Sequence, residues 1–169
     1  YYVQVRTIDY VTILPSIPVA LLIIAVLYIN EFPDYRADEA TGKRTLVVRL
    51  GRKNAARGYA VIMTAVYLTI LFGVIMNVMP DDTLVALTTL PLGSLAVRRA
   101  VISYEKSFEL IPANASTVLT HLLTGMFLTL GYVLAGLAVS FLETLVLGFF
   151  ILAVTLFLSL RIHRRPPPA

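Results

Sequence analysis

Long uninterrupted apolar runs, separated by short polar breaks, constrain this chain more than any other feature. Runs of about 18 or more apolar residues read as helices that cross a lipid bilayer. The spans run roughly from Val11 to Ile29, Gly58 to Met79, Thr83 to Ile102, Ala115 to Ala138 and Phe141 to Leu160. Each holds about 20 residues, enough for a hydrocarbon core of roughly 30 Å at about 1.5 Å per residue. Only 14% of the residues are charged, against about 25% in soluble domains. The expected fold class is therefore all-α, a polytopic transmembrane helical bundle of about five membrane helices. Pro15 and Pro18 fall in the first span and are expected to kink it, which neighbouring helices can accommodate. Gly125, Gly131 and Gly136 dot the fourth span, where small residues let helices approach closely.

The chain has no cysteine, which excludes a disulfide framework and any thiolate metal site. It opens on Tyr1-Tyr2-Val3-Gln4-Val5, with no Met and no signal-peptide pattern. That opening reads as the middle of a longer protein.

Charge alternates from loop to loop. The segment from Asn30 to Arg57 holds seven basic residues: Arg36, Lys43, Arg44, Arg49, Arg52, Lys53 and Arg57. The turn at Pro80-Asp81-Asp82 is acidic, the next loop carries Arg98, Arg99 and Lys106, and the turn after the fourth span has only Glu143. The tail has Arg161, Arg164 and Arg165, so with five spans thirteen of the fourteen basic residues share one side and Arg6 lies on the other. Cytoplasmic loops are enriched in Lys and Arg, which places the Asn30–Arg57 loop and the C-terminus in the cytoplasm. The net charge of +4 then reflects orientation and anionic partners rather than nucleic acid, and the basic tail suits an anchor against membrane lipid. Residues 166–169, with three consecutive prolines, read as a disordered tail after a single transmembrane domain spanning 1–165.

The chemistry concentrates in the first charged loop. Pro33 suits the first position of a short helix and Gly42 suits its end. Between them Asp34 and Asp38 are four residues apart, which on a helix puts them on one face about 5–6 Å apart. Asn30 would join that face if the helical path continued. Two carboxylates so placed repel unless a cation lies between them, and Mg²⁺ is commonly held by one or two carboxylates plus substrate phosphates. Lys43 and Arg44 follow at once, with Arg49 further on; arginine matches phosphate oxygens bidentately and lysine supplies a point charge. The pattern fits a Mg²⁺–diphosphate site, and the spacing alone equally suits a solvated helix of mixed charge. A P-loop is excluded, because Ala37 and Arg44 stand where its pattern needs Gly and Ser or Thr.

The run Asn30-Glu31-Phe32-Pro33-Asp34-Tyr35-Arg36-Ala37-Asp38, followed by Gly42-Lys43-Arg44-Thr45-Leu46-Val47-Val48-Arg49-Leu50-Gly51, resembles the second aspartate-rich motif of the UbiA superfamily of intramembrane prenyltransferases. Within it the chain is most similar to the branch that prenylates 1,4-dihydroxy-2-naphthoate in menaquinone synthesis. Pro112-Ala113-Asn114, His121 and Gly131-Tyr132 add to the likeness, which extends to about Gly136. The resemblance implies a helical bundle around a central cavity, with a polyprenyl diphosphate whose head lies under the cytoplasmic loops and an aromatic acceptor beside it. It implies that Asp34 and Asp38 are catalytic, metal-binding aspartates, that Asn30 leads the motif, and that Lys43 and Arg44 contact the diphosphate. It also implies a first aspartate-rich motif, which this sequence lacks, so upstream helices are expected and this chain holds one half of a site. The family usually ends three helices after the second motif; here a fourth, Phe141 to Leu160, follows.

Asn114, Thr117, His121 and Thr124 recur at helical spacing and form a polar stripe on the fourth span. Polar groups inside membrane helices usually face the bundle interior. They suit either helix–helix hydrogen bonding or a wall of the aromatic-acceptor pocket, with Asn114 and His121 as substrate contacts. Tyr28, Tyr59 and Tyr67 read as packing or interface residues. A phosphatidyltransferase would also use Mg²⁺ and clustered aspartates, but its D-G and A-R steps are missing. A transporter would show inverted repeats with broken helices, and no repeat is visible.

Overall fold

The computed structural model describes residues 2–8 and 10–164. Two short helices, α1 (Tyr2–Val5) and α2 (Tyr10–Ile13), precede α3 (Ser16–Ala40). A short α4 (Leu46–Leu50) follows, then α5 (Arg52–Ile75), a 3₁₀ segment (Asp81–Thr89) that runs into α6 (Leu90–Ser103), a 3₁₀ turn (Ser107–Leu110), α7 (Ile111–Gly136) and α8 (Phe141–Arg164). Five of these stretches are long and apolar enough to cross a membrane, so the chain is a multi-pass membrane protein with an all-helical fold. The anticipated tail, residues 166–169, lies outside the described residues, as does Arg165.

The first span differs from its expected form. Pro15 is the N-cap of α3 and Pro18 lies in its first turn, where a missing N–H costs nothing. These prolines start the helix rather than kink it. Pro33, expected to open a new helix, instead lies inside α3. It removes one backbone bond, yet the apolar stripe runs through it in register. Leu22, Ala25, Ile29 and Phe32 recur at helical spacing and are fully buried, so packing carries the helix past the proline. The membrane span and the charged motif are thus one continuous rod.

Four long elements form the core. α3 packs on α5 and α7, and α6 packs on α5 and α7 across the bundle from α3. Tyr59, Met63, Val66 and Ile70 give α5 its buried stripe. The start of the third span is 3₁₀ because three threonines bond backward to the chain: Thr83 Oγ1 to Pro80 O, Thr88 Oγ1 to Val85 O and Thr89 Oγ1 to Ala86 O, at 2.6–2.8 Å. Such local bonds compete with regular helix geometry. α7 crosses this segment at Gly131, where an added Cβ would come within 2.6 Å of the Thr83 Cα.

α8 lies along the 3₁₀ segment and α6. Thr144 Oγ1 donates to Asp82 Oδ1 at 2.6 Å and Thr155 Oγ1 to the Thr88 carbonyl at 2.6 Å. Its other face is open, with Phe149 and Phe150 about 70% exposed, as suits contact with lipid tails.

Candidate active site

The C-terminal turns of α3 bring the motif to one end of the bundle. Gly42, at φ 75°, takes the left-handed conformation that glycine adopts at no steric cost. Gly42 N donates to Glu39 O at 3.2 Å and Lys43 N to Asp38 O at 2.9 Å, the paired bonds of a Schellman ending. The chain therefore doubles back, and the Lys43 ammonium returns to the Asp38 side chain. Its Nζ lies 3.1 Å from Oδ1 and 3.3 Å from Oδ2.

This ending makes the two aspartates unequal. Asp38 is buried, at 7% exposure, while Asp34, one turn earlier, is exposed. Both carboxylate oxygens of Asp38 face a cation that sits in the bidentate position. Lys43 is free to leave, since 64% of its side chain is exposed. The donor set is one that accepts a hard cation: two carboxylates a helical turn apart, one already holding positive charge at both oxygens. Among the described residues no three His, Cys, Asp or Glu side chains converge, so a metal here would complete its shell with water or phosphate oxygens, as Mg²⁺ commonly does. Arg44 is exposed in the same turn.

Asn30 continues the motif's helix one turn toward the membrane. Asn114 Nδ2, at the start of α7, donates to Asn30 Oδ1 at 2.7 Å. Two predicted site residues 84 positions apart are thus brought together, while the Asn114 Oδ1 is shielded from solvent and has no partner. His121 is not brought to them. It lies two turns further along α7, half-buried, and lines an open apolar groove of about 560 Å³ with Leu122, Gly125, Met126 and Thr129.

The polar stripe on α7 divides accordingly. Its inward row is Ser116, Thr117, Thr120 and Thr124, all fully buried. Thr117 shares a 2.6 Å hydrogen bond with the Tyr59 hydroxyl and Thr124 a 2.8 Å bond with Thr89. These two threonines join helices inside the bundle, as Asn114 does at its end, whereas His121 lies on the flank.

Three residues not anticipated from the sequence hold the motif in place. Glu31 Oε2 accepts from Val47 N at 3.2 Å, docking the N-terminus of α4 on α3. The Arg52 guanidinium lies 4.7 Å from the centre of the Tyr35 ring and donates to the Glu105 carbonyl at 2.7 Å. Glu31, Tyr35 and Asp38 recur at helical spacing, the signal that could have marked this second face of the motif.

The sequence profile of the UbiA prenyltransferase family matches residues 1–110, which include α3 and the whole of the Asp34–Asp38 turn. The chain belongs to the UbiA prenyltransferase family. A 2-carboxy-1,4-naphthoquinone phytyltransferase of Synechocystis is 26% identical over 137 residues, covering 81% of this chain and 45% of the relative. A 1,4-dihydroxy-2-naphthoate octaprenyltransferase of Haemophilus influenzae is 30% identical over 133 residues, 78% of this chain and 42% of that protein. The octaprenyltransferase of the same name in Escherichia coli is 44% identical over a shorter stretch of 63 residues, 37% of this chain and 20% of the relative. The UbiA chain described here spans less than half the length of these relatives. No solved structure gives a significant match.

Proposed function

We propose that this chain supplies the second aspartate-rich half of an intramembrane prenyltransferase site, which moves a polyprenyl group from polyprenyl diphosphate to an aromatic acceptor. The names of the relatives favour 1,4-dihydroxy-2-naphthoate as that acceptor. The observation that carries the reading is the Asp38 carboxylate, buried with the largely exposed Lys43 ammonium on both oxygens, one turn from the exposed Asp34.

In this reading Asp34 and Asp38 hold Mg²⁺, with Asn30 beside them. The bound ion would supply Lewis-acid stabilisation of the departing diphosphate. Lys43, whose side chain is largely exposed beside Asp38, and Arg44 would neutralise charge on the diphosphate. The allylic C–O bond breaks and a bond forms from an electron-rich ring carbon. The ring regains aromaticity by losing the proton on that carbon, or carbon dioxide and a proton where that carbon bears a carboxyl group. The apolar bundle around the substrate excludes the water that would otherwise capture the cation. The Lys and Arg distribution supports a cytoplasmic position for the motif.

The test is prenyl transfer by membranes containing the complete enzyme, this chain together with the half that carries the first aspartate-rich motif. Polyprenyl diphosphate is supplied with 1,4-dihydroxy-2-naphthoate or with 4-hydroxybenzoate, in Mg²⁺ or in excess chelator. The expected result is a prenylated naphthol that forms only with the metal. Absence of product from either acceptor at saturating Mg²⁺ would sink the reading.

A further inference from the structure

A groove of about 360 Å³ opens between α5 and α6, lined by Met63, Tyr67, Leu68, Gly93 and Val97 and ending at Arg98. Its depth depends on Gly93. A Cβ there would collide with the Tyr67 ring, whose hydroxyl reaches Thr89 at 3.3 Å. Along its length the groove is apolar. Its head is basic from both walls. Arg98 comes from α6, five residues before the end of that helix at Ser103, and lines the groove itself. On α5, Lys53 and Arg57 lie eleven and seven residues before Thr64, which also lines the groove, so they share its face. Arg57 lies five residues after the start of α5 at Arg52. The Arg52–Glu105 bond ties the two helix ends together, which places Arg57 and Arg98 at matching depth.

Arg57 and Arg98 are exposed, and neither makes an ion pair or hydrogen bond among the described residues. Ionisable side chains inside membrane spans usually have a partner. Basic pockets between membrane helices on the cytoplasmic side recognise anionic lipid head groups.

We propose that this groove is a binding site for one anionic glycerophospholipid, with an acyl chain along Met63, Leu68 and Val97 and the phosphate between Arg57 and Arg98. A polyprenyl diphosphate has similar chemistry. The carboxylates that would hold its metal, however, are on α3, which lies across the bundle from α6. The proposal does not depend on the prenyl-transfer reading.

The experiment is native mass spectrometry of the detergent-solubilised protein with phosphatidylglycerol or phosphatidylcholine of identical acyl chains. One phosphatidylglycerol should be retained in preference to phosphatidylcholine. Arg57→Gln and Arg98→Gln should each weaken that preference by roughly five-fold, and Ser94→Trp, which fills the groove, should abolish retention. Arg161→Gln on α8 should leave it intact. Equal retention of the two lipids, a preference untouched by both arginine variants, or displacement of phosphatidylglycerol by equimolar polyprenyl diphosphate would overturn the proposal.

Discussion

Asn114 donates from its side-chain amide to Asn30 Oδ1 at 2.7 Å, joining the start of α7 to the motif helix α3 across 84 positions of sequence. This bond fixes the rotamer of the residue one turn before Asp34. It also couples the fourth span to the charged end of the first.

Breaking that bond should loosen the motif. Asn114→Ala is expected to cost about 1 kcal/mol, the usual net worth of such a hydrogen bond. Asn30→Ala should cost a similar amount, and the double variant little more than either alone. Thermal unfolding in detergent, analysed as a double-mutant cycle, measures this. Additive losses would show that the two amides act independently.

Gly42 should tolerate asparagine better than alanine. Its φ of 75° costs a β-carbon roughly 1–2 kcal/mol, and Asn is the common substitute at this capping position. Gly42→Ala should lower the melting temperature and Gly42→Asn should largely preserve it. Equal melting temperatures would mean that the turn is not held in the left-handed conformation.

Two glycines on α7 should behave oppositely. An added Cβ at Gly131 meets the backbone of Asp82 and Thr83 at 2.6–2.7 Å, whereas at Gly125 it meets nothing within 4 Å. Gly131→Ala is therefore expected to destabilise by about 1–3 kcal/mol through overpacking, and Gly125→Ala to be neutral or slightly stabilising. Matching stabilities would refute the close crossing of α7 over the 3₁₀ segment.

The chain has no native cysteine, so sidedness can be read with single introduced thiols. Cysteine at exposed Arg44 should react with an impermeant maleimide only when the cytoplasmic face is accessible. Cysteine at exposed Asn77, in the turn after α5, should react from the opposite face. The reverse pattern would invert the orientation drawn from the charge distribution.

Much of this architecture could be read from the sequence, because lipid solvent demands apolar runs of a set length and the chain supplies them. Local signals and tertiary packing diverge at particular residues. Pro33 looked like a helix start, but buried Ile29 and Phe32 keep α3 continuous through it. The carboxylate spacing was plain in the sequence, as was Gly42 as a helix end. The inequality of Asp34 and Asp38 was not, since it arises from Lys43 folding back and from burial against neighbouring helices. Asn30 and Asn114 were each singled out, yet no local pattern in one sequence couples residues so far apart. The roles of Glu31 and Arg52 depend on backbone groups of other segments, Val47 N and Glu105 O.

Asp34 and Asp38 are proposed as the metal-holding jaw of a prenyl-transfer site. The most direct test is turnover of the complete membrane-inserted enzyme carrying Asp34→Ala or Asp38→Ala, with Glu39→Ala as the control on the same helix. Both aspartate variants should insert at wild-type levels and lose prenyl transfer by at least about a hundred-fold, the order expected when electrostatic stabilisation of a leaving group is removed. Glu39→Ala should stay near wild type. Near-wild-type turnover in either aspartate variant would contradict the account.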